Sequence, residues 1–124
     1  MPSNLTALSP LDGRYAAKVE PLRNHFSEFG LIRNRVRVEV EWLKALAAES
    51  AIVEIVPFST STTAELDHVV STFSEPDAEA VKRIESRTNH DVKAIEYWLK
   101  ARLGRNREVR GALEFIHFAA TSEV

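Results

Sequence analysis

Between positions 22 and 47 the apolar residues recur at Leu22, Phe26, Phe29, Ile32, Val36, Val40, Leu43 and Ala47. Steps of three and four sustained over that span place one apolar stripe on a helix. Gly30 falls inside it, and glycine in a helix interior costs about 1 kcal/mol relative to alanine, so a bend is expected there. The stretch 51–57 is rich in β-branched residues, but it ends in Pro57 and has no partner strand. It therefore reads as an extended connector.

Two further helix starts are legible in side-chain chemistry. Thr62 with Glu65, and Ser74 with Asp77, have the spacing at which a hydroxyl and a carboxylate satisfy the free amides of a first helical turn. Helices over 62–73 and 75–87 follow, the first burying Leu66, Val69, Val70 and Phe73, the second Ala80, Val81 and Ile84. A fourth helix over 91–103 carries Val92, Ile95, Leu99 and Leu103 inward and stops at Gly104, a residue suited to the left-handed position that ends many helices. A fifth over 107–120 uses Val109, Leu113 and Ile116.

Residues 1–20 contain Pro2, Pro10 and Gly13 and show little periodicity. They read as an extended arm with a tight turn at Pro10-Leu11-Asp12-Gly13, where proline presets φ and glycine tolerates a positive φ. Nothing repeats at the 20–50 residue period of a solenoid. The expected fold class is all-α, with about five helices in residues 21–124 behind a non-helical arm.

Composition narrows the function more than the fold. In 124 residues, 44% apolar and 27% charged is a globular balance. A helical unit this small often finishes burying its apolar faces against more chain or another subunit. The 18 acidic and 16 basic residues are mixed along the chain, with a net charge of −2, so no broad positive field invites nucleic acid as a partner. With no cysteine, neither a disulfide framework nor a thiolate metal site is expected. No apolar run approaches the roughly 20 residues that span a bilayer, and the first 20 residues lack a signal-peptide layout. A soluble, cytoplasmic chain without a membrane partner is expected.

Three stretches are not explained by helix packing. In Ser9-Pro10-Leu11-Asp12-Gly13-Arg14-Tyr15 a turn delivers a guanidinium and a phenol side by side, a pair able to grip a phosphate and equally able to bridge a surface carboxylate. In Thr88-Asn89-His90-Asp91 the free amides of a helix start attract an anion, and Asn89 and His90 add groups that orient a polar ligand. The alternative there is plain capping by Asn89 or Asp91, with His90 half exposed beside it. The charge of Asp91 opposes an anion unless it faces a basic ligand nitrogen or Lys93. At Thr121-Ser122 two hydroxyls follow an apolar helix, where they suit a carboxylate or the last helical carbonyls.

His25 and His68 fall at polar helical positions and read as surface residues, whereas His117 beside an apolar face reads as a hydrogen-bonded structural histidine. Trp42 and Trp98 read as packing residues. No set of His, Asp and Glu has convincing metal-ligand spacing.

In their order and wording these stretches resemble the start of the adenylosuccinate lyases, in the fumarase and aspartase superfamily. The motifs are SPLDGRY at 9–15, FSEFGLIRNRVRVEVEWL at 26–43, TNHDVKAIEYWL at 88–99 and EFIHFAATSE at 114–123. The resemblance implies the N-terminal domain of that superfamily, without its central helical-bundle and C-terminal domains. It further implies a homotetramer with shared active sites, a purine nucleotide substrate and no metal or organic cofactor. Arg14 and Tyr15 then correspond to nucleotide phosphate binders, Asn89, His90 and Asp91 to substrate contacts near the succinyl group, and Thr121 and Ser122 to contacts with a succinyl carboxylate.

The implied reaction is elimination of fumarate from adenylosuccinate, giving AMP, and from SAICAR, giving AICAR. It needs a base beside a carboxylate, an acid for the leaving nitrogen and donors for carbanion-like charge. In the family the acid is a histidine of a later central segment and the base a serine on a loop later still. Neither segment is among these 124 residues, so no catalytic residue is expected in this chain, and turnover by it alone should be negligible. The sequence departs from the family's usual wording at Arg87, often threonine, and at Val124, usually aspartate. The competing expectation is a free-standing helical interaction or assembly module without lyase activity.

Overall fold

The structure, a computed structural model, describes residues 3–121. Among the described residues the chain is all-α: α1 (Arg23–Phe26), α2 (Glu28–Ala48), α3 (Thr60–Ser71), α4 (Glu75–Thr88), α5 (Asp91–Leu103) and α6 (Arg107–Arg110), with three short 3-10 turns and no strand. No helix among them is long and apolar enough to cross a membrane. Two compact units are distinguished, Met1–Leu31 and Ile32–Val124.

In the first unit the predicted turn is a 3-10 turn at Pro10–Asp12. Ser9 Oγ accepts the Leu11 amide at 3.1 Å, and the amides of Gly13 and Tyr15 both donate to the Pro10 carbonyl. Gly13 was expected for a positive φ, but its φ is −125°. Glycine is needed for a different reason: a Cβ there would stand 2.8 Å from the Asn4 carbonyl oxygen, so the chain passes too close for any side chain. A second 3-10 turn at Glu20–Leu22 leads into α1.

The bend expected at Gly30 instead lies at Ser27, whose ψ of 170° takes it out of the helix. Ser27 Oγ donates to the Arg23 carbonyl and accepts the Gly30 amide at 3.0 Å, so one hydroxyl closes α1 and caps α2. Gly30 serves the break by close approach, since its Cβ would meet the Asn24 carbonyl at 2.8 Å. Leu22 and Phe26 precede the break and are exposed, contrary to the stripe drawn through them.

The second unit holds the core. Val36, Val40 and Leu43 of α2, Leu66 of α3, Val81 of α4, Ile95, Leu99 and Leu103 of α5 and Val109 of α6 are all fully buried. Each such aliphatic side chain contributes roughly 1.5–3 kcal/mol through removal from water. Phe73 and Trp98 meet edge to face at 5.2 Å. Val70, Ala80, Ile84 and Leu113 of the predicted stripes are only half-buried.

Helix α3 starts two residues earlier than expected, and its cap is Ser59, not Thr62. Thr62 is buried and bonds Glu108, whose carboxylate also accepts the amide and hydroxyl of Ser59 at 3.0–3.2 Å. These bonds, Thr62 first and then the Ser59 amide, hold Glu108 below the usual carboxylate range. At α4 the expected pairing forms: the amide and hydroxyl of Ser74 donate to Asp77 Oδ2, each at 3.0 Å.

Helix α5 has the expected bounds, but Gly104 closes it in right-handed geometry (φ −65°) rather than left-handed. The helix expected over 107–120 forms only as α6 and a 3-10 turn at Leu113–Phe115. Beyond it His117 (φ 65°) and Ala119 (φ 58°) are left-handed, which no α-helix accommodates. The apolar spacing there is satisfied by burying Val109, Ala112 and Ile116 from a turning chain.

Candidate functional site

Arg14 and Tyr15 belong to the first unit. The Tyr15 amide is anchored on the Pro10 carbonyl at 2.9 Å, which sets the direction in which both side chains leave the turn. The Arg14 guanidinium lies 5.2 Å from the centre of the Tyr15 ring, within cation–π reach. Both residues are exposed, and Arg14 makes no ion pair among the described residues. The pair thus presents a stacked cation and a phenol to solvent.

Asn89, His90 and Asp91 fill the junction of α4 and α5 in the second unit. Asn89 ends α4 in left-handed geometry (φ 54°), donating its amide to the Glu85 carbonyl at 2.8 Å. Asparagine tolerates that conformation better than most residues. His90, rather than Asn89 or Asp91, is the N-cap of α5: its Nδ1 accepts the Lys93 amide at 3.1 Å. That bond requires a lone pair on Nδ1, so the ring proton of this exposed histidine sits on Nε2, where it is a hydrogen-bond donor.

Asp91 pairs not with Lys93 but with Arg35, at the surface. Its Oδ2 accepts from Arg35 Nη1 and its Oδ1 from the Val92 amide, each at 2.8 Å. The Arg35 bond, more than any other contact, holds the Asp91 carboxyl below its ordinary range. Its charge is neutralised within the chain, which removes the conflict with an anion bound nearby. Lys93 instead pairs with Glu96 at 3.2 Å and lies 5.3 Å from the Tyr97 ring. Glu96 is buried. Burial pushes its carboxyl up, but Lys100 at 3.0 Å and Lys93 outweigh burial and hold it below the usual range.

Thr121 is exposed and lines a cleft of about 310 Å³ with Val38, Glu39, Trp42, Ala119 and Ala120. Ser122 lies outside the described residues. Two ties dock this last segment on α2: Trp42 Nε1 donates to the Phe118 carbonyl at 2.6 Å, and His117 Nδ1 lies 2.6 Å from Glu39 Oε1. His117 is therefore the hydrogen-bonded histidine expected. His25 and His68 are exposed, Trp98 is buried and Trp42 is partly exposed.

Helix α2 brings the two polar groups of the second unit into register. Arg35 holds the start of α5 and Glu39 holds the turn before Thr121, one helical turn apart, about 6 Å along the axis. Neither was singled out by motif. Glu39 carried a readable signal, because it falls on the stripe of Ile32, Val36, Leu43 and Leu46 and a charge there demands a buried partner. No group of His, Asp and Glu suited to a metal ion occurs among the described residues.

No family model matches the chain. Among curated proteins, it is 58% identical over 121 residues to adenylosuccinate lyase of Haemophilus influenzae, covering 98% of this chain and 26% of that protein. It is 54% identical to adenylosuccinate lyase of Escherichia coli K12 and 50% identical to that of Vibrio cholerae, with the same coverage. The chain thus spans about a quarter of the length of these relatives. By sequence, nearly all of this chain corresponds to a segment of adenylosuccinate lyase.

Proposed function

We propose that this chain is the substrate-binding N-terminal part of an adenylosuccinate lyase. The intact protein eliminates fumarate from adenylosuccinate to give AMP and from SAICAR to give AICAR, in the cytoplasm and without a metal or organic cofactor. Within it, residues 1–20 form an arm whose Arg14 and Tyr15 bind the nucleotide phosphate. Residues 21–124 form a helical domain in which Asn89, His90 and Asp91 meet the succinyl group, and Thr121 and Ser122 meet its carboxylate. The acid and base come from segments outside these 124 residues.

The observation that carries this reading is identity of 50–58% over nearly the whole chain to proteins of that name. The chemistry of the junction supports it: His90 offers an Nε2–H donor beside the amides of a helix start, and Asp91 is already neutralised by Arg35. Val38 and Trp42 remain 41% and 37% exposed on α2, which fits a homotetramer that covers them.

Calorimetric titration of the chain with adenylosuccinate tests the reading. Saturable binding without fumarate release is expected, weakened about 10-fold by Arg14→Ala and by His90→Ala, the size of one lost charge-assisted or buried hydrogen bond. No binding, with self-association of the chain through its apolar helix faces, would favour an assembly module instead.

A further inference from the structure

Glu39 and His117 belong to none of the groups assigned to the nucleotide above. Glu39 is only 3% exposed, among buried Val36, Val40 and Leu43 on the same helix. Its Oε1 meets His117 Nδ1 at 2.6 Å, while its Oε2, shut off from solvent, has no hydrogen-bond partner among the described residues. A carboxylate only accepts, so this contact puts a proton on Nδ1 of His117.

An unpaired buried acceptor lowers stability, and a well-packed apolar residue at position 39 would carry no such penalty. The segment that Glu39 holds carries a second cost, because His117 and Ala119 hold left-handed backbone without being glycine. The backbone cost falls within five residues of Thr121, and the unpaired oxygen belongs to the α2 residue that holds that stretch, which the Trp42 indole also ties down. Packing alone accounts for neither. Such costs persist where a group has to be held in one place, because a hydroxyl discriminates between ligands only when its position is fixed to within about 0.5 Å.

We propose that Glu39 is a positioning residue: by accepting the Nδ1–H hydrogen bond of His117 it fixes the left-handed turn at 117–119 and so sets where Thr121 stands against α2. The inference rests on the reading of Thr121 as a ligand contact. Its structural half is separable, because the state of the His117 ring can be read with no ligand present.

The test uses the 124-residue chain, with ring-nitrogen NMR of His117 alongside titration with adenylosuccinate. Wild type is expected to show His117 protonated at Nδ1. Glu39→Gln, whose side-chain carbonyl still accepts that proton, keeps the signature and binds within about 3-fold of wild type, whereas Glu39→Ala loses the signature and binds about 10-fold more weakly. Should Glu39→Ala not fold, Glu39→Met, of similar volume but without a strong acceptor, takes its place. Leu46→Ala on the same helix lowers stability without moving the signature. An unchanged ring in Glu39→Ala, a Glu39→Gln variant as impaired as Glu39→Ala, or a Leu46→Ala variant that shifts the ring equally, overturns the proposal. If wild type binds no nucleotide, the nucleotide reading fails by itself and the ring signature across the variants still decides whether Glu39 positions the turn.

Discussion

Two polar ties leave α2 one turn apart and differ in kind. Arg35–Asp91 is 2.8 Å long with the Asp91 side chain 52% exposed, whereas Glu39–His117 is 2.6 Å long with side chains 4% and 18% exposed. In the first, water competes for both ions, yet each Asp91 oxygen has a protein donor. In the second, the carboxylate is buried and one of its oxygens has no donor among the described residues. The outer tie is complete and weak, and the inner one incomplete and strong, because low dielectric raises both the value of a bond made and the cost of a bond missed. One helix thus docks one segment adjustably and another rigidly.

Replacing members of the two ties one at a time should break this contrast if it is wrong. The largest loss is expected for Glu39→Ala, about 3 kcal/mol of unfolding free energy by urea titration, as for other buried pairs deprived of one partner. A loss no greater than that of Arg35→Ala would erase the distinction. His90→Ala removes the cap of α5 and should cost about 1 kcal/mol in the same measurement. Arg35→Ala should cost about 0.5 kcal/mol, and 1 M salt should abolish that difference but leave the Glu39→Ala difference standing.

The smallest effect concerns acid. Because Arg35 depresses the Asp91 carboxyl, its contribution is fully present above the ordinary aspartate value of the unfolded chain and is lost as pH falls through the lower folded value. The stability gap between wild type and Asp91→Asn should therefore stay constant from neutrality down to the ordinary aspartate range and shrink only in stronger acid. A gap that closes near neutral pH would mean that Arg35 does not hold the carboxylate.

What the sequence disclosed follows from how local each determinant is. The bounds of α5 were legible because a cluster of polar residues suited to a helix start, a regular apolar stripe and a glycine all lie within it or beside it. The cap of α3 was misread by three positions because Ser59, Thr60, Ser61, Thr62 and Thr63 are all hydroxyl residues, and a carboxylate from Glu108 decides which of them caps. Ser27 outcompeted Gly30 as the break because its hydroxyl serves both helix ends at once. The segment after Gly111 kept a helical spacing that the chain does not use, since its path is set by Glu39 and Trp42, more than 70 residues away in sequence. Capping by His90 was hidden for another reason: an imidazole is an uncommon cap, and its neighbours Asn89 and Asp91 are common ones.

The two indoles are placed so differently that light can tell them apart. Trp98 stands edge-on to Phe73 in the core, whereas Trp42 is partly wet and bonded to the Phe118 carbonyl. In a Trp98→Phe chain the remaining fluorescence would come from Trp42 alone, and its emission maximum would report detachment of the last segment before the core melts. The molecule carries its own dye-free gauge of that single movement.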